Sequence, residues 1–419
     1  MLKINFFHRI ISISILVLLL PSMTIMPEIS QRADGLQSLA FTSDADFDDG
    51  TLDNISIEGT GAGAKLRLSL IDMNNWTNMN PSNKPPGRVS AVMAEVFGTD
   101  KVVIFGGNTN DGMEGFTNET WVYDYSDNNW TQMFPPISPV KRNSHGLTTI
   151  YGDDKVLLFG GWAGDTPKRL NDTWVYDLSE NTWTERHPLQ SPAGRDNHGQ
   201  SAIYNDDKAL IFSGDIGPPF AGSSDNETWI YDLSENTWTK QHPSTIPPSN
   251  DNFRMAQISG TDRILMFGGW YGGNTTWIYD VGDDEWTKLD LPVNPPWRYS
   301  HAMASVNNDD RVIMMNGCNG SSQVNDLWIY DLSENNWTQK FPVSKPKIGG
   351  DYGMAMLYND DITILFGGWD GINWFQKYDE TWVYNAASFA PEGTLISKEF
   401  NLGSPAAFKT LYWNSWGIA

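Results

Sequence analysis

The groups in this 419-residue chain that could hold a metal or move a proton are 6 histidines, 1 cysteine and 51 acids. His145, His198 and His301 each stand three residues after an arginine: Arg142, Arg195 and Arg298. Two related segments carry Ala91 and Gln257 in that place instead. A zinc or copper site needs ligands that converge to about 2 Å bonds, and one histidine per copy of a recurring segment spreads the ligands apart. The histidines therefore read as structural, and no metal is assigned. Cys318 lies in Gly317-Cys318-Asn319-Gly320 and has no second cysteine to pair with, so the chain must hold together without an internal disulfide. The run Asp44-Ala-Asp46-Phe-Asp48-Asp49-Gly50 suggests calcium, but an EF-hand loop needs Gly at its sixth place and Glu at its twelfth. Asp49 and Ile55 stand there, so a solvated turn is the better reading. A carboxylate pair for glycoside cleavage cannot be picked out of 51 acids by sequence. No catalytic residue and no cofactor is assigned.

Groups that could bind are easier to find. Trp162, Trp270 and Trp369 each directly follow a Gly-Gly pair, with Tyr271, Trp374, Phe375 and Phe220 nearby and Asp215 in an equivalent place. An exposed aromatic ring beside Asp or Asn suits a sugar or an apolar side chain of a protein ligand. The same tryptophans could instead pack inside the fold. Arg142, Arg195 and Arg298 are kept with them as candidate ligand contacts. The formal charge of −23 excludes a nucleic-acid partner, because 28 basic residues face 51 acids. Many acids fall in turn-like pairs such as Asp153-Asp154 and Asp206-Asp207, which reads as a solvated rim.

Self-comparison shows which elements must carry these residues. Phe-Gly-Gly or a degenerate of it recurs at Phe105, Phe159, Phe212, Phe267, Met315 and Phe366. Trp-x-Tyr-Asp recurs at Trp121, Trp174, Trp229, Trp277 and Trp328, ending with Trp382-Val-Tyr384-Asn385. A turn followed by Trp-Thr gives Trp130, Trp183, Trp238, Trp286 and Trp337. The period is about fifty residues. Each copy reads as four short strands, a to d: for example Ser144 to Tyr151, Lys155 to Phe159, Thr173 to Leu178 and Thr182 to Arg186. Strand b is apolar on both faces, so a lone sheet cannot cover it and neighbouring copies must.

From about Arg88 to Asn385 these motifs resemble kelch repeats, which implies an all-β, six-bladed kelch-type propeller. The sixth copy lacks its Trp-Thr strand, and an orphan Asn75-Trp76-Thr77 precedes the first. Residues about 66–80 are thus expected to supply the missing outer strand and close the ring. The family includes galactose oxidase, whose copper site needs two tyrosines, two histidines and a tyrosine-linked cysteine. No adjacent Tyr-His pair occurs here, which argues against oxidase chemistry. Sialic-acid-processing propellers are a second enzyme comparison, but their Ser-x-Asp-x-Gly-x-Thr-Trp box and arginine cluster are missing.

At the N-terminus, Lys3 and Arg9 precede an apolar run from Ile10 to Leu20, shorter than the roughly 20 residues of a membrane-spanning helix. Residues 1–26 read as a signal peptide, and the mature chain as secreted or cell-surface, without a membrane span. Nine Asn-x-Ser/Thr sequons fit exposure but do not establish glycosylation. Residues 41–70 and 391–419 read as flanking β segments of an extracellular β-sandwich kind around a 66–390 propeller. The overall expectation is a monomeric binding or adhesion module that presents variable b–c and d–a loops to a protein or glycan. A carbohydrate-active enzyme and a structural spacer are the alternatives.

Overall fold

The computed structural model describes residues 75–385 apart from seven short loop stretches (110–114, 165–168, 218–222, 307–308, 321, 359–360 and 371–375). Outside this range it describes only the backbone of two antiparallel pairs, Phe6–Phe7 with Ile10–Ile11 and Ile55–Glu58 with Lys65–Leu68. The remainder of the signal-like segment and the strands expected in 391–419 lie outside the described residues. Asn74–Ala386 is one compact unit, and the flanks belong to another.

The described part of Asn74–Ala386 forms six four-stranded antiparallel sheets, each the blade of a propeller. Blade two shows the plan: strand a is Gly146–Ile150, b is Lys155–Phe159, c is Thr173–Asp177 and d is Thr182–Arg186. Strand b is buried at Val156 to Phe159 on both faces, because sheets stack on either side of it. The c–d turn needs a left-handed residue, and the Tyr176 hydroxyl donates to Oδ1 of that residue, Asn181, at 2.9 Å. Blades one, three, four and five repeat the bond with Asn128, Asn236, Asp284 and Asn335.

Between blades, the Trp of strand d donates its indole N–H to the first Thr of strand c in the preceding blade. Trp183 reaches Thr120 at 2.9 Å, and Trp238 reaches Thr173, Trp286 reaches Thr228 and Trp337 reaches Thr276 at 3.0 Å. Trp130 of blade one reaches Thr381 of blade six, across the seam of the ring, at 2.9 Å.

Two circuits of backbone hydrogen bonds also run around the ring. In the first, N–H groups of Ser90, Ser144, Asn197, Asn252, Ser300 and Asp351 each bond to the carbonyl of the same position in the preceding blade, and Ser90 closes the circle on Asp351. All six residues have φ between 52° and 56°, a strained state for a residue with a Cβ. In the second, the second residue of each Gly-Gly position donates to the linker of the next blade, as in Gly161 to Arg195 and Gly368 to Arg88. A Cβ on Gly161 would stand 2.7 Å from that of His145, so glycine is required there.

The expected closure is present. Trp76–Asn78 pairs with the c strand Thr381–Asn385, matching Trp382 to Asn78, Val383 to Thr77 and Tyr384 to Trp76. This N-terminal strand completes blade six, and Trp76 is 1% exposed.

Candidate functional site

The innermost strands, a, line a central channel with a free volume of about 120 Å³. The circle from Ser90 to Asp351 forms one mouth of it. The b–c and d–a loops of each blade meet around that mouth through short bridges: Val89 with Asn108, Asn143 with Trp162, Asp196 with Asp215 and Tyr299 with Cys318. The a–b and c–d turns lie at the other end.

Arg142, Arg195 and Arg298 are each fully buried in this loop layer. The Arg142 guanidinium donates to the Gly160 carbonyl at 2.9 Å and to both Asp172 oxygens at 2.7 and 2.6 Å. Arg298 does the same with Asn316 and Asp326, while Arg195 donates through Nη1 alone to the Ser213 carbonyl and Asp225, its Nη2 standing 2.8 Å from Asp225 as an ion pair. Arg88 repeats the device with Gly106 and Glu119. These arginines, candidate ligand contacts by sequence, hold b–c loops in place, and their forks face protein oxygens.

The histidines are also internal. His145 packs edge-on against Phe105, His198 against Phe159 and His301 against Phe267, with centroids 5.6 to 5.9 Å apart. Phe253 does this against Phe212 in blade four, so it and not Gln257 is the fourth counterpart. Desolvation, aided by the neighbouring arginine, pushes His198 down to about 3 and His145 well below its usual value. His301 is shifted in the same direction, with Arg254 and Arg298 both contributing after burial. Among the described residues no three His, Cys, Asp or Glu side chains are grouped to hold a metal ion. Burial pushes the Cys318 thiol up to about 12, which makes it a poor nucleophile.

The candidate tryptophans divide. Trp369 is buried and donates to Asp351 at 3.3 Å, while Trp162 is half-buried with its ring 5.5 Å from Phe116. Trp374 lies outside the described residues. Trp270 and Tyr271 are 47% and 53% exposed. The Trp270 ring meets Tyr299 edge-on at 4.5 Å, and Trp297 lies 6.0 Å beyond, making one aromatic surface across blades four and five. Trp297 fixes itself by donating to the Gly269 carbonyl at 2.7 Å.

The b–c loop under this surface is short and tightly tied. Asn250 stands where blades one, two, three and five have arginine, donating to the Gly268 carbonyl at 2.7 Å and accepting from the Tyr271 amide at 3.1 Å. The Thr275 hydroxyl donates to the Gly272 carbonyl at 2.7 Å. Trp297 and Tyr299 were not among the sequence candidates. The available signal was that Trp297 precedes the blade arginine where other blades have Gly87, Lys141 and Gly194.

Beside the aromatics lies an acidic group. Arg169 donates to Asp196 at 3.0 Å, to Asp215 at 2.6 Å and to the Gly217 carbonyl. Asp215 is thus half of a local ion-pair network. The Asp251 carboxylate accepts from Asn252 at 3.1 Å and Ser224 at 3.4 Å, and its backbone carbonyl from the Trp270 amide at 2.9 Å. Burial pushes the Asp196 carboxyl up to about 6 against the pull of Arg169. Three carboxylates against one guanidinium leave the patch anionic at neutral pH.

A closed ring of Trp- and Gly-punctuated blades with ligand-sized variation on one face defines the propeller class. The chain belongs to the kelch-repeat family: it matches the family described as the KLHDC2/KLHL20/DRC7 Kelch-repeats domain over residues 60–269 and 199–390. Putative adagio-like protein 2 of Oryza sativa subsp. japonica is 29% identical over 223 residues, covering 48% of this chain and 33% of the relative. Adagio protein 3 of Arabidopsis thaliana is 27% identical over 206 residues, covering 46% and 32%. The F-box/kelch-repeat protein At1g51550 of Arabidopsis thaliana is 29% identical over 343 residues, covering 77% and 59%. The chain thus spans about a third of the length of the adagio relatives. A kelch propeller of this kind is suited to protein binding.

Proposed function

We propose that this propeller is the binding module of an exported protein and that it takes a protein ligand on its loop face at blades four and five. The observation that carries the reading is the joined, partly exposed surface of Trp270, Tyr271, Trp297 and Tyr299. Aromatic rings held by a fixed backbone lose little entropy on binding and are typical anchor residues. The acidic patch around Asp196, Asp215 and Asp251 favours a ligand that pairs apolar with basic side chains. A glycan remains the second reading, because Trp270 beside Asp251 also offers a ring to stack on and an acceptor. Export rests on the N-terminal pattern of Lys3, Arg9 and the apolar run to Leu20.

The test is selection from displayed peptides and a glycan array on the purified propeller, followed by affinity measurements. The double variant Trp270→Ala, Tyr271→Ala is expected to weaken the selected ligand by roughly 1–3 kcal/mol. Glu180→Ala and Glu235→Ala, in turns at the other end of the blades, are expected to leave it unchanged. Unchanged affinity in the double variant, with an unaltered unfolding midpoint, places the ligand elsewhere and overturns the reading.

A further inference from the structure

The end of the channel away from the loop face holds side chains that the ligand surface does not use. Glu95 ends strand a of blade one and lines the channel, together with Gln257, Ser305 and Met356 from the ends of the same strand in blades four, five and six. Just beyond these strand ends a group of aromatic rings packs together. Phe97 lies 4.3 Å from Tyr358 and 5.5 Å from Tyr151, and Tyr151 lies 5.4 Å from Tyr204.

In this chamber, among the described residues, Glu95 has a hydrogen bond to its own backbone but no opposite charge, and Gln257 is only half satisfied. The Gln257 amide nitrogen donates to the Tyr151 hydroxyl, which leaves its Oε1 buried without a hydrogen-bond partner. Gln257 itself is 4% exposed. No ion pair to Glu95 occurs among the described residues. The other charged side chains of the lining, Arg254 and Asp351, stand near the loop-side mouth, 3.9 Å from each other. His145 and His198 also line the channel and are held neutral. A carboxylate without an ion pair and an orphaned amide oxygen call for the same thing, a compact cation that can also donate hydrogen bonds.

We propose that the turn-side end of the channel is a binding site for a small organic ammonium ion, with Glu95 as counter-charge and Gln257 Oε1 as acceptor. The ligand is a free amine and not a lysine of a protein partner. Glu95 lies five residues below Ser90 at the mouth, roughly 16 Å at about 3.3 Å per residue, beyond the reach of a side chain hung from the loop face. A free volume of about 120 Å³ likewise suits a small molecule. Burial pushes the Glu95 carboxyl up to about 7, so without a cation the charged form destabilises the fold at neutral pH. Glutamine at this position would remove that cost, and with it the site.

The experiment titrates the full chain at pH 8 by calorimetry with methylammonium chloride, tetramethylammonium chloride and a lysine-rich peptide. Potassium chloride at matched ionic strength serves as the control. Saturable binding of methylammonium is expected, with weaker binding of tetramethylammonium, which has no N–H to give Gln257 Oε1. Glu95→Gln is expected to weaken it by about tenfold or more, the scale of losing a charged partner. The same variant is expected to melt at a higher temperature than the parent at pH 8, which shows that the lost binding is not lost folding. Binding in the parent is expected to fade as the pH falls below about 7, where Glu95 takes up its proton. No saturable binding of methylammonium, equal binding by Glu95→Gln, or binding of the peptide alone overturns the proposal.

Discussion

At the residue scale, the same side chains that invite a chemical reading turn out to hold blades together. Arg142, Arg195 and Arg298 are buried and paired with Asp172, Asp225 and Asp326, so their charge is taken up in holding b–c loops. His198 is a flat ring wedged against Phe159, a role that Phe253 performs in the next blade. Its folded-state value of about 3 lies below the unfolded value of about 6.5, so the unfolded chain binds the proton first. Stability attributable to this residue is therefore complete above pH 6.5 and is lost as the pH falls towards 3. His198→Phe is expected to leave the melting temperature at pH 8 nearly unchanged and to spare about 2 kcal/mol at pH 5. Denaturant unfolding at the two pH values checks this; an equal difference at both would show that the effect is packing and not protonation.

At the element scale, five of the six outer strands are tied to the preceding blade by one indole N–H, and the sixth is not. The c strand of blade five begins with Leu327 where the other blades have threonine, so the Trp76 indole N–H is buried with no partner. In blade two the Trp183 indole has Thr120. Trp183→Phe is expected to cost about 1 kcal/mol more than Trp76→Phe, since it alone breaks a hydrogen bond and leaves a buried hydroxyl behind. Paired unfolding curves read the difference directly, and equal losses would show that ring volume, not the bond, is what these tryptophans contribute. The repeat strings revealed the strands themselves because strand b must be apolar on both faces and the turns must contain Asn or Asp. The sequence did not reveal which Trp lacks its partner, since donor and acceptor lie in different repeats.

At the scale of the whole molecule, the ring is closed four times over at the seam between blades six and one. Trp76–Asn78 completes blade six, the Ser90 and Gly368 backbone circuits cross the junction, and Trp130 reaches Thr381. Of these, the strand is the one that chain truncation can remove. Deletion of residues 1–80 is expected to lower the unfolding midpoint relative to deletion of 1–72, because only the longer deletion takes away the strand and its buried Trp76. The scale is about 3–5 kcal/mol, that of losing a buried tryptophan. Identical midpoints for the two truncations would mean that the remaining seam contacts suffice.

The sequence by itself determined the number of blades, the order of strands within them, the division into constant turns and variable loops, and the need for an N-terminal strand. These follow from local rules of periodicity, turn chemistry and two-sided burial that recur in every copy. It did not determine which of Trp162, Trp270 and Trp369 is exposed. All three follow a Gly-Gly pair, and their fates depend on whether a neighbour such as Phe116 or Asp351 stands against the ring. Nor did it reveal Trp297 and Tyr299 as partners of Trp270, or place Glu95 opposite Gln257. Those residues are brought together only by the circular stacking of blades, which places residues from separate repeats around a common channel and mouth.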